Sequence, residues 1–302
     1  MRKFLIIILT FFVIVAVVDF GIGRLGDYLQ SHVRGGDTRR TNDLVMKDTH
    51  DVVILGSSRA HHHYDTPFLS DTLGLDIYNA GYDGNGVVLA TGFLELILER
   101  YQPKLVLFDV EPTFDIIEFA GDNNHIRYIG NLKPYYRHTA IGNIIEDIST
   151  EEWYKVHSGM IRYNTNILTM LKECRQSIDT YMRGYAPLSG VYIKESNRIK
   201  EDYVIDDFKL KYIEKLILLA QAHNVPIVFV ASPKYGRTSS DEIKPVIDIC
   251  KRNNVTLLDY YSDSFFMQHK EWFKEPMHLN ERGAKEFSII IANVIKSYLN
   301  IE

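Results

Sequence analysis

The chain has 302 residues, 46% hydrophobic and 24% charged, with a formal net charge of −5. That is an ordinary globular composition, long enough for one large domain or two small ones. Mild acidity without a long basic run argues against a nucleic-acid partner. The two cysteines, Cys174 and Cys250, fit no metal spacing and are read either as a pair or as buried free thiols.

Met1-Arg2-Lys3 is followed by an almost wholly apolar run from Phe4 to Val18, broken only by Thr10. Continued to Ile22, it has about 20 residues, the length needed to cross a bilayer. The basic residues in front would stay cytoplasmic, which leaves the rest of the chain outside the membrane. Asp19-Phe20-Gly21-Ile22 lacks the small-residue pattern of a cleavage site, so residues 1–22 are expected as an uncleaved anchor rather than a signal peptide. Residues 23–49 are polar and charged, with Arg34-Gly35-Gly36-Asp37-Thr38-Arg39-Arg40 at their centre. They are expected as a membrane-proximal linker holding a short helix near Leu25 to Val33.

From Asp51 the pattern alternates between strand and helix. Val52 to Leu55 is an unbroken apolar run, the mark of a strand covered on both faces, and Gly56-Ser57-Ser58-Arg59 then turns the chain. A short helix is expected over Thr66 to Leu73, with Pro67 near its start. A second strand over Asp76 to Asn79 ends in a glycine-rich loop, Ala80-Gly81-Tyr82-Asp83-Gly84-Asn85-Gly86. Val87 to Tyr101 has helical apolar period, and a third strand runs from Lys104 to Val110. Further on come a helix over Phe208 to His223, a strand over Pro226 to Ala231 and a helix over Asp241 to Asn253. A fifth strand over Val255 to Tyr260 and a last helix from Glu281 to about Leu299 complete the pattern. Strands separated by helices of this length predict a parallel sheet in a three-layer α/β/α sandwich, one domain over residues 50–302.

An insertion at about 111–207 interrupts that pattern. It is rich in tyrosine (Tyr128, Tyr135, Tyr136, Tyr154, Tyr163, Tyr181, Tyr185, Tyr192, Tyr203) and carries Trp153. Following the carboxyl end of a parallel strand, it is expected over the active edge of the sheet. Its rings form either a platform for a sugar or acyl chain or the core of a helical cap; both readings stand.

Two segments carry chemistry. Small polar residues directly after a parallel strand sit where open α/β sheets place ligands, although Gly56-Ser57-Ser58 also suits a plain helix cap. Near the C-terminus, Lys274-Glu275-Pro276-Met277-His278-Leu279-Asn280 places a carboxylate three residues before a histidine, on a loop that Asn280 caps into the last helix. A carboxylate on one ring nitrogen leaves the other free to take a proton from a serine. His61-His62-His63 invites a metal reading, but three consecutive residues do not all converge on one ion, and one of the rings simply lining the pocket is the reading preferred; no metal site is expected. The glycine-rich loop after the second strand lacks the order of a nucleotide fingerprint and is read as a tight active-site loop.

Gly56-Ser57-Ser58 after the first strand, Asn79-Ala80-Gly81 after the second and Glu275-x-x-His278 before the last helix, in that order, resemble the SGNH/GDSL hydrolase superfamily. Gly-Ser-Ser-Arg-Ala with the anchor is similar to its envelope branch, the SGNH-like proteins of teichoic-acid D-alanylation and alginate O-acetylation. The resemblance implies a flavodoxin-like sandwich and a serine nucleophile serving ester hydrolysis or acyl transfer, with no cofactor. Carried over by position, Ser58 is the nucleophile, His278 the base, Glu275 its orienting carboxylate in place of the usual Asp, and Gly81 an oxyanion donor beside the Ser58 N–H. Ser57, Arg59, Asn85, Asp109 and Glu111 are expected around the pocket, the last two as partners for Arg59. The family's Gly-x-Asn-Asp block after the third strand is absent, since Phe108-Asp109-Val110-Glu111-Pro112 stands there. Losing an oxyanion donor typically costs a factor of roughly 100 to 1,000. Either Arg59, Asn85, Asn164 or Asn166 replaces it, or catalysis is weak. The expected function is an extracytoplasmic esterase or O-acyltransferase on an acyl ester of an envelope glycan. The alternative is an inactive glycan-binding or assembly protein on the same fold, and any envelope-assembly partner stays unnamed.

Overall fold

The computed structural model of the chain describes residues 1–119, 125–164, 166–176, 182–192 and 203–301. They form two compact units, Met1–Lys47 with His125–Thr180 and Asp48–Asn124 with Tyr181–Glu302.

The larger unit is built on five parallel strands: β1 (Val52–Gly56), β2 (Ile77–Asn79), β3 (Leu105–Asp109), β4 (Ile227–Ala231) and β5 (Leu257–Asp259). They lie side by side in the order β2-β1-β3-β4-β5, each neighbour pair parallel. β1, β3 and β4 are buried end to end, which explains their unbroken apolar runs: both faces are covered. Val52, Ile54, Leu105, Leu107, Val228 and Val230 share one core with Ala284, Phe287, Ile291 and Ile295 of the Glu281–Leu299 helix. Val53, Leu55, Val106, Phe108 and Phe229 alternate with them and are equally buried toward the opposite face. On that side helix Val87–Leu98 packs against Asp207–Ala222, which in turn meets Lys244–Arg252. The architecture is the flavodoxin-like three-layer α/β/α sandwich. Its strand order reverses direction between β1 and β3, and the carboxyl ends of strands at such a reversal are where open α/β sheets bind ligands.

The smaller unit is helical. Its first helix runs without a break from Arg2 to His32, and an 18-residue window of it has a mean hydropathy of 2.9 with none of its residues buried. This is the one helix among the described residues long and apolar enough to cross a membrane. Residues 23–49, expected as a linker, are mostly helical: the first helix continues to His32, and Gly36–Asn42 forms another. The reason is packing. Gly23 and Gly26 present no side chain, so helix Gly159–Tyr163 lies directly on the backbone; a Cβ at Gly26 would stand 2.1 Å from the Tyr163 ring. Asp19 caps that second helix by accepting from Ser158 Oγ at 2.5 Å, Met160 N at 2.9 Å and Gly159 N at 3.1 Å. These contacts come from residues far away in sequence, which no local pattern announces.

Candidate active site

β1 ends at Gly56, whose φ of +142° is open to glycine, and a Cβ there would meet the Asp109 carbonyl oxygen at 2.7 Å. The chain turns at once into helix Ser58–His63. The two serines part company here. Ser57 is fully buried and serves as the helix N-cap, its hydroxyl accepting from Arg59 N at 3.3 Å. Ser58 is partly exposed, and its Oγ lies 2.7 Å from His278 Nε2.

His278 does not sit on an open loop, as the proline suggested, but on a two-stranded hairpin. Phe273–Glu275 pairs antiparallel with His278–Leu279, and the register sets Glu275 opposite His278. The tight turn therefore brings Glu275 Oε1 onto His278 Nδ1, while Oε2 accepts from Met277 N at 3.1 Å. The extra methylene of Glu is absorbed by this i, i+3 geometry. Asn280 caps the last helix through Arg282 N and Gly283 N, both at 3.1 Å, and its amide donates to Glu271 O at 2.8 Å and Gly190 O at 2.9 Å. The hairpin is thereby fixed at both ends. Glu275, His278 and Ser58 form a continuous carboxylate–imidazole–hydroxyl relay, with His278 oriented to accept the Ser58 proton.

Behind this relay lies a buried polar network. Arg59, expected at the mouth as a substitute oxyanion donor or as partner of Asp109 and Glu111, is fully buried. Its Nη2 and Nε donate to Ser232 Oγ at 3.0 and 3.2 Å, and its guanidinium lies over the Tyr261 ring at 5.2 Å. His63 accepts from Leu279 N at 3.0 Å through Nε2, so its Nδ1 carries the proton and donates to Ser232 Oγ at 2.8 Å. Burial, with the Arg59 cation nearby, holds the His63 pKa well below 6.5, so this ring stays neutral. Asp109, at the end of β3, accepts from Ser232 N at 3.4 Å; burial pushes its carboxyl up, against the pull of Arg59. Lys234, beyond β4, donates to Tyr261 Oη at 2.8 Å, and desolvation lowers its ammonium to about 8.

The other expected pocket residues have local duties. Glu111 caps helix Pro112–Asp115, accepting from Phe114 N at 3.1 Å, and its own N–H donates to Asp115 Oδ2 at 2.6 Å. Asn85 donates to the Asp83 carbonyl at 3.1 Å. Gly81 N, expected as an oxyanion donor, bonds Asn79 Oδ1 at 3.0 Å. The glycine is needed there because a Cβ would stand 2.4 Å from His61 N. Asn79 in turn donates to Ala60 O at 2.6 Å and ties β2 to the serine helix. Ser58 N stands at the first position of its helix, where no i−4 acceptor exists. Asn164 and Asn166 belong to the helical unit and are exposed there.

The tyrosine-rich stretch divides between the units. Tyr128, Tyr135 and Tyr163 are buried in the helical unit and Tyr185 in the core of the sheet unit, while Tyr154 and Tyr203 are exposed. Tyr181 lies outside the described residues. In the helical unit Tyr136, Trp153 and His157 line a cavity of about 500 Å³ with Arg137 and Glu146. Cys174 and Cys250 are both free.

Sequence reasoning passed over two features. Ser232 directly follows β4, the same signal that drew attention to Ser58. Asp83 lies against the first two of the three histidines: its Oδ1 is 2.8 Å from His61 Nδ1 and 3.3 Å from His62 Nε2.

No protein-family model matches the chain, and no curated protein matches it. Among solved structures it is similar to an acetyl xylan esterase, with 12% identity and a TM-score of 0.39 over 82% of this chain and 98% of that one. It is also similar to a GDSL-like lipase from Bacteroides thetaiotaomicron VPI-5482, with 12% identity and a TM-score of 0.36 over 82% of this chain and 87% of that one.

Proposed function

We propose that the chain is a membrane-anchored serine esterase or O-acyltransferase of the SGNH/GDSL type, acting outside the cytoplasm on an acyl ester of an envelope glycan. The observation that carries this reading is the Ser58 Oγ to His278 Nε2 contact of 2.7 Å, with Glu275 on the opposite ring nitrogen. It stands at the β1/β3 reversal, and only one of the two adjacent serines is open to a substrate. The Ser58–His278 contact favours this reading over a non-catalytic protein on the same fold.

In the proposed reaction His278 Nε2 removes the Ser58 proton as Oγ attacks the acyl carbonyl carbon, and Ser58 N–H stabilises the oxyanion. The imidazolium, balanced by Glu275, returns the proton to the departing alcohol oxygen as the ester bond breaks. A water or a sugar hydroxyl, deprotonated by His278, then attacks the acyl-enzyme, and the imidazolium returns that proton to Ser58 Oγ as the acyl–serine bond breaks.

Anchoring is supported by the exposed apolar helix behind Arg2 and Lys3, and by the use of Asp19, Gly23 and Gly26 in the helical unit. Cleavage near residue 22 would remove part of that packing. The glycan assignment is supported by the resemblance to the envelope branch.

The test is covalent labelling of the detergent-solubilised protein with a serine-reactive phosphonate, alongside turnover of an activated acetyl ester. Labelling of Ser58 and loss of both signals in Ser58→Ala are expected. A Ser58→Ala protein that still labels and turns over overturns the mechanism. Ser57→Ala, which removes a cap, is expected to cost about 1 kcal/mol of stability and to leave labelling in place.

A further inference from the structure

We propose that His61, His62 and Asp83 form a divalent transition-metal site, best suited to zinc, beside the Ser58–His278 pair. The three side chains bring one ligand atom each to within 4.8 Å of one another. The two rings are buried and the Asp83 side chain is 58% exposed, so an ion arriving from solvent meets the carboxylate first.

The hydrogen bonds of His62 carry the argument. Its Nδ1 lies 2.6 Å from the Ala186 carbonyl oxygen, which only accepts, so Nδ1 holds the ring proton. In the neutral ring Nε2 then presents a lone pair to Asp83 Oδ1 at 3.3 Å, one acceptor facing another. Something cationic belongs between them. The His61 and His62 rings stack at 4.7 Å and both turn a nitrogen to the same carboxylate. A divalent ion placed there takes a lone pair from each ring and one from the carboxylate.

The two separations from Asp83 are near what that ion needs, and the two rings close on it from within 4.8 Å. Tetrahedral zinc with bonds of about 2.0–2.1 Å sets its donor atoms about 3.3 Å apart. The Asp83–His62 separation already matches, and the 2.8 Å between Asp83 and His61 Nδ1 widens with a small swing of the exposed Asp83 side chain. The His62 Nδ1–H bond to a backbone carbonyl is the outer contact that ordinarily orients a metal-bound imidazole. Two histidines and one aspartate leave a fourth position open for water or a substrate oxygen, such as a sugar hydroxyl or an acyl carbonyl. The site borders the relay, since the His62 ring meets His278 edge-on with centroids 5.4 Å apart.

Metal binding here does not depend on the hydrolase reading, and its test does not use turnover. Full-length, tag-free protein is stripped with a chelator, and Zn²⁺ is titrated calorimetrically; Co²⁺ is added separately and followed by its visible absorption. One Zn²⁺ per chain and an intense tetrahedral Co²⁺ spectrum are expected. Asp83→Ala and His62→Phe should each weaken Zn²⁺ binding at least tenfold while keeping the wild-type circular dichroism spectrum. No stoichiometric binding by the wild-type chain overturns the proposal. So does binding that is unchanged in well-folded Asp83→Ala. Phosphonate labelling of Ser58 in the stripped protein reports separately on the serine mechanism, so the two proposals fail independently.

Discussion

The sheet unit contains two serine–histidine contacts of nearly equal length, Ser58–His278 at 2.7 Å and Ser232–His63 at 2.8 Å. Both serines follow the carboxyl end of a parallel strand, and each pair has a carboxylate close by. They differ in surroundings. Ser58 and His278 are partly exposed, and the imidazole has a carboxylate on one nitrogen and a hydroxyl on the other. Ser232 and His63 are wholly buried; the hydroxyl accepts from two cationic nitrogens of Arg59, and His63 already accepts from a backbone N–H. An imidazole that already accepts from a backbone N–H at one nitrogen and donates from the other has no acceptor left for the Ser232 proton. The comparison teaches that a short serine–histidine contact becomes a catalytic candidate only when the ring keeps an unfilled acceptor and the oxygen faces solvent. The inner pair instead holds the outer one in place, because His63 grips the backbone at Leu279, next to His278.

Four substitutions break or sharpen that contrast. Ser58→Ala should lower acetyl-ester turnover by about 10⁴-fold or more, with unfolding free energy within about 0.5 kcal/mol of wild type, because a partly exposed hydroxyl is lost from the reaction and from little else. Turnover assays paired with chemical denaturation check it. Glu275→Gln should reduce kcat by on the order of 10² to 10⁴, since the amide no longer stabilises the imidazolium; the phosphonate labelling rate should fall in parallel. Ser232→Ala inverts the pattern: it leaves Arg59 and His63 without their shared acceptor and should cost about 1–3 kcal/mol, seen as a lower denaturation midpoint. If it costs nothing, the inner network is not structural.

The smallest effect is a pH dependence. Lys234 loses its proton near pH 8 when folded, against about 10.5 unfolded. Between those values the unfolded chain binds the extra proton, so stability rises with pH there and is lost as pH falls through the folded value. From pH 7.5 to 9.5 the gain from this group should be about 1–2 kcal/mol. Lys234→Met should flatten that rise relative to wild type; equal slopes in the two proteins would remove Lys234 from the buried network.

The sheet was legible because its signals are local. β1, β3 and β4 are covered on both faces and so must be continuously apolar, and Thr66–Leu73 and Glu281–Leu299 carry their own caps in Pro67, Gly74 and Asn280. Ser58, His278 and Glu275 were readable as candidates from their places at a strand end or helix start together with the family resemblance, and the fold brings the three side chains together. The helical unit was not. Nothing near Gly23 states that Gly159, more than a hundred residues on, will lie against it, so residues that pack as helix read as a polar linker.

The same division runs through the site. By itself the sequence determined the layers and the strand ends, because periodicity and capping act over a few residues, and with the family resemblance it put Ser58, His278 and Glu275 forward as candidates. Tertiary structure decided which serine faces out, that Arg59 turns inward to Ser232, that Gly81 is held by Asn79, and that Asp83 meets two of three consecutive histidines. Each of those outcomes depends on a partner brought close by the fold, and hydrogen bonds and burial act over distance in space rather than along the chain.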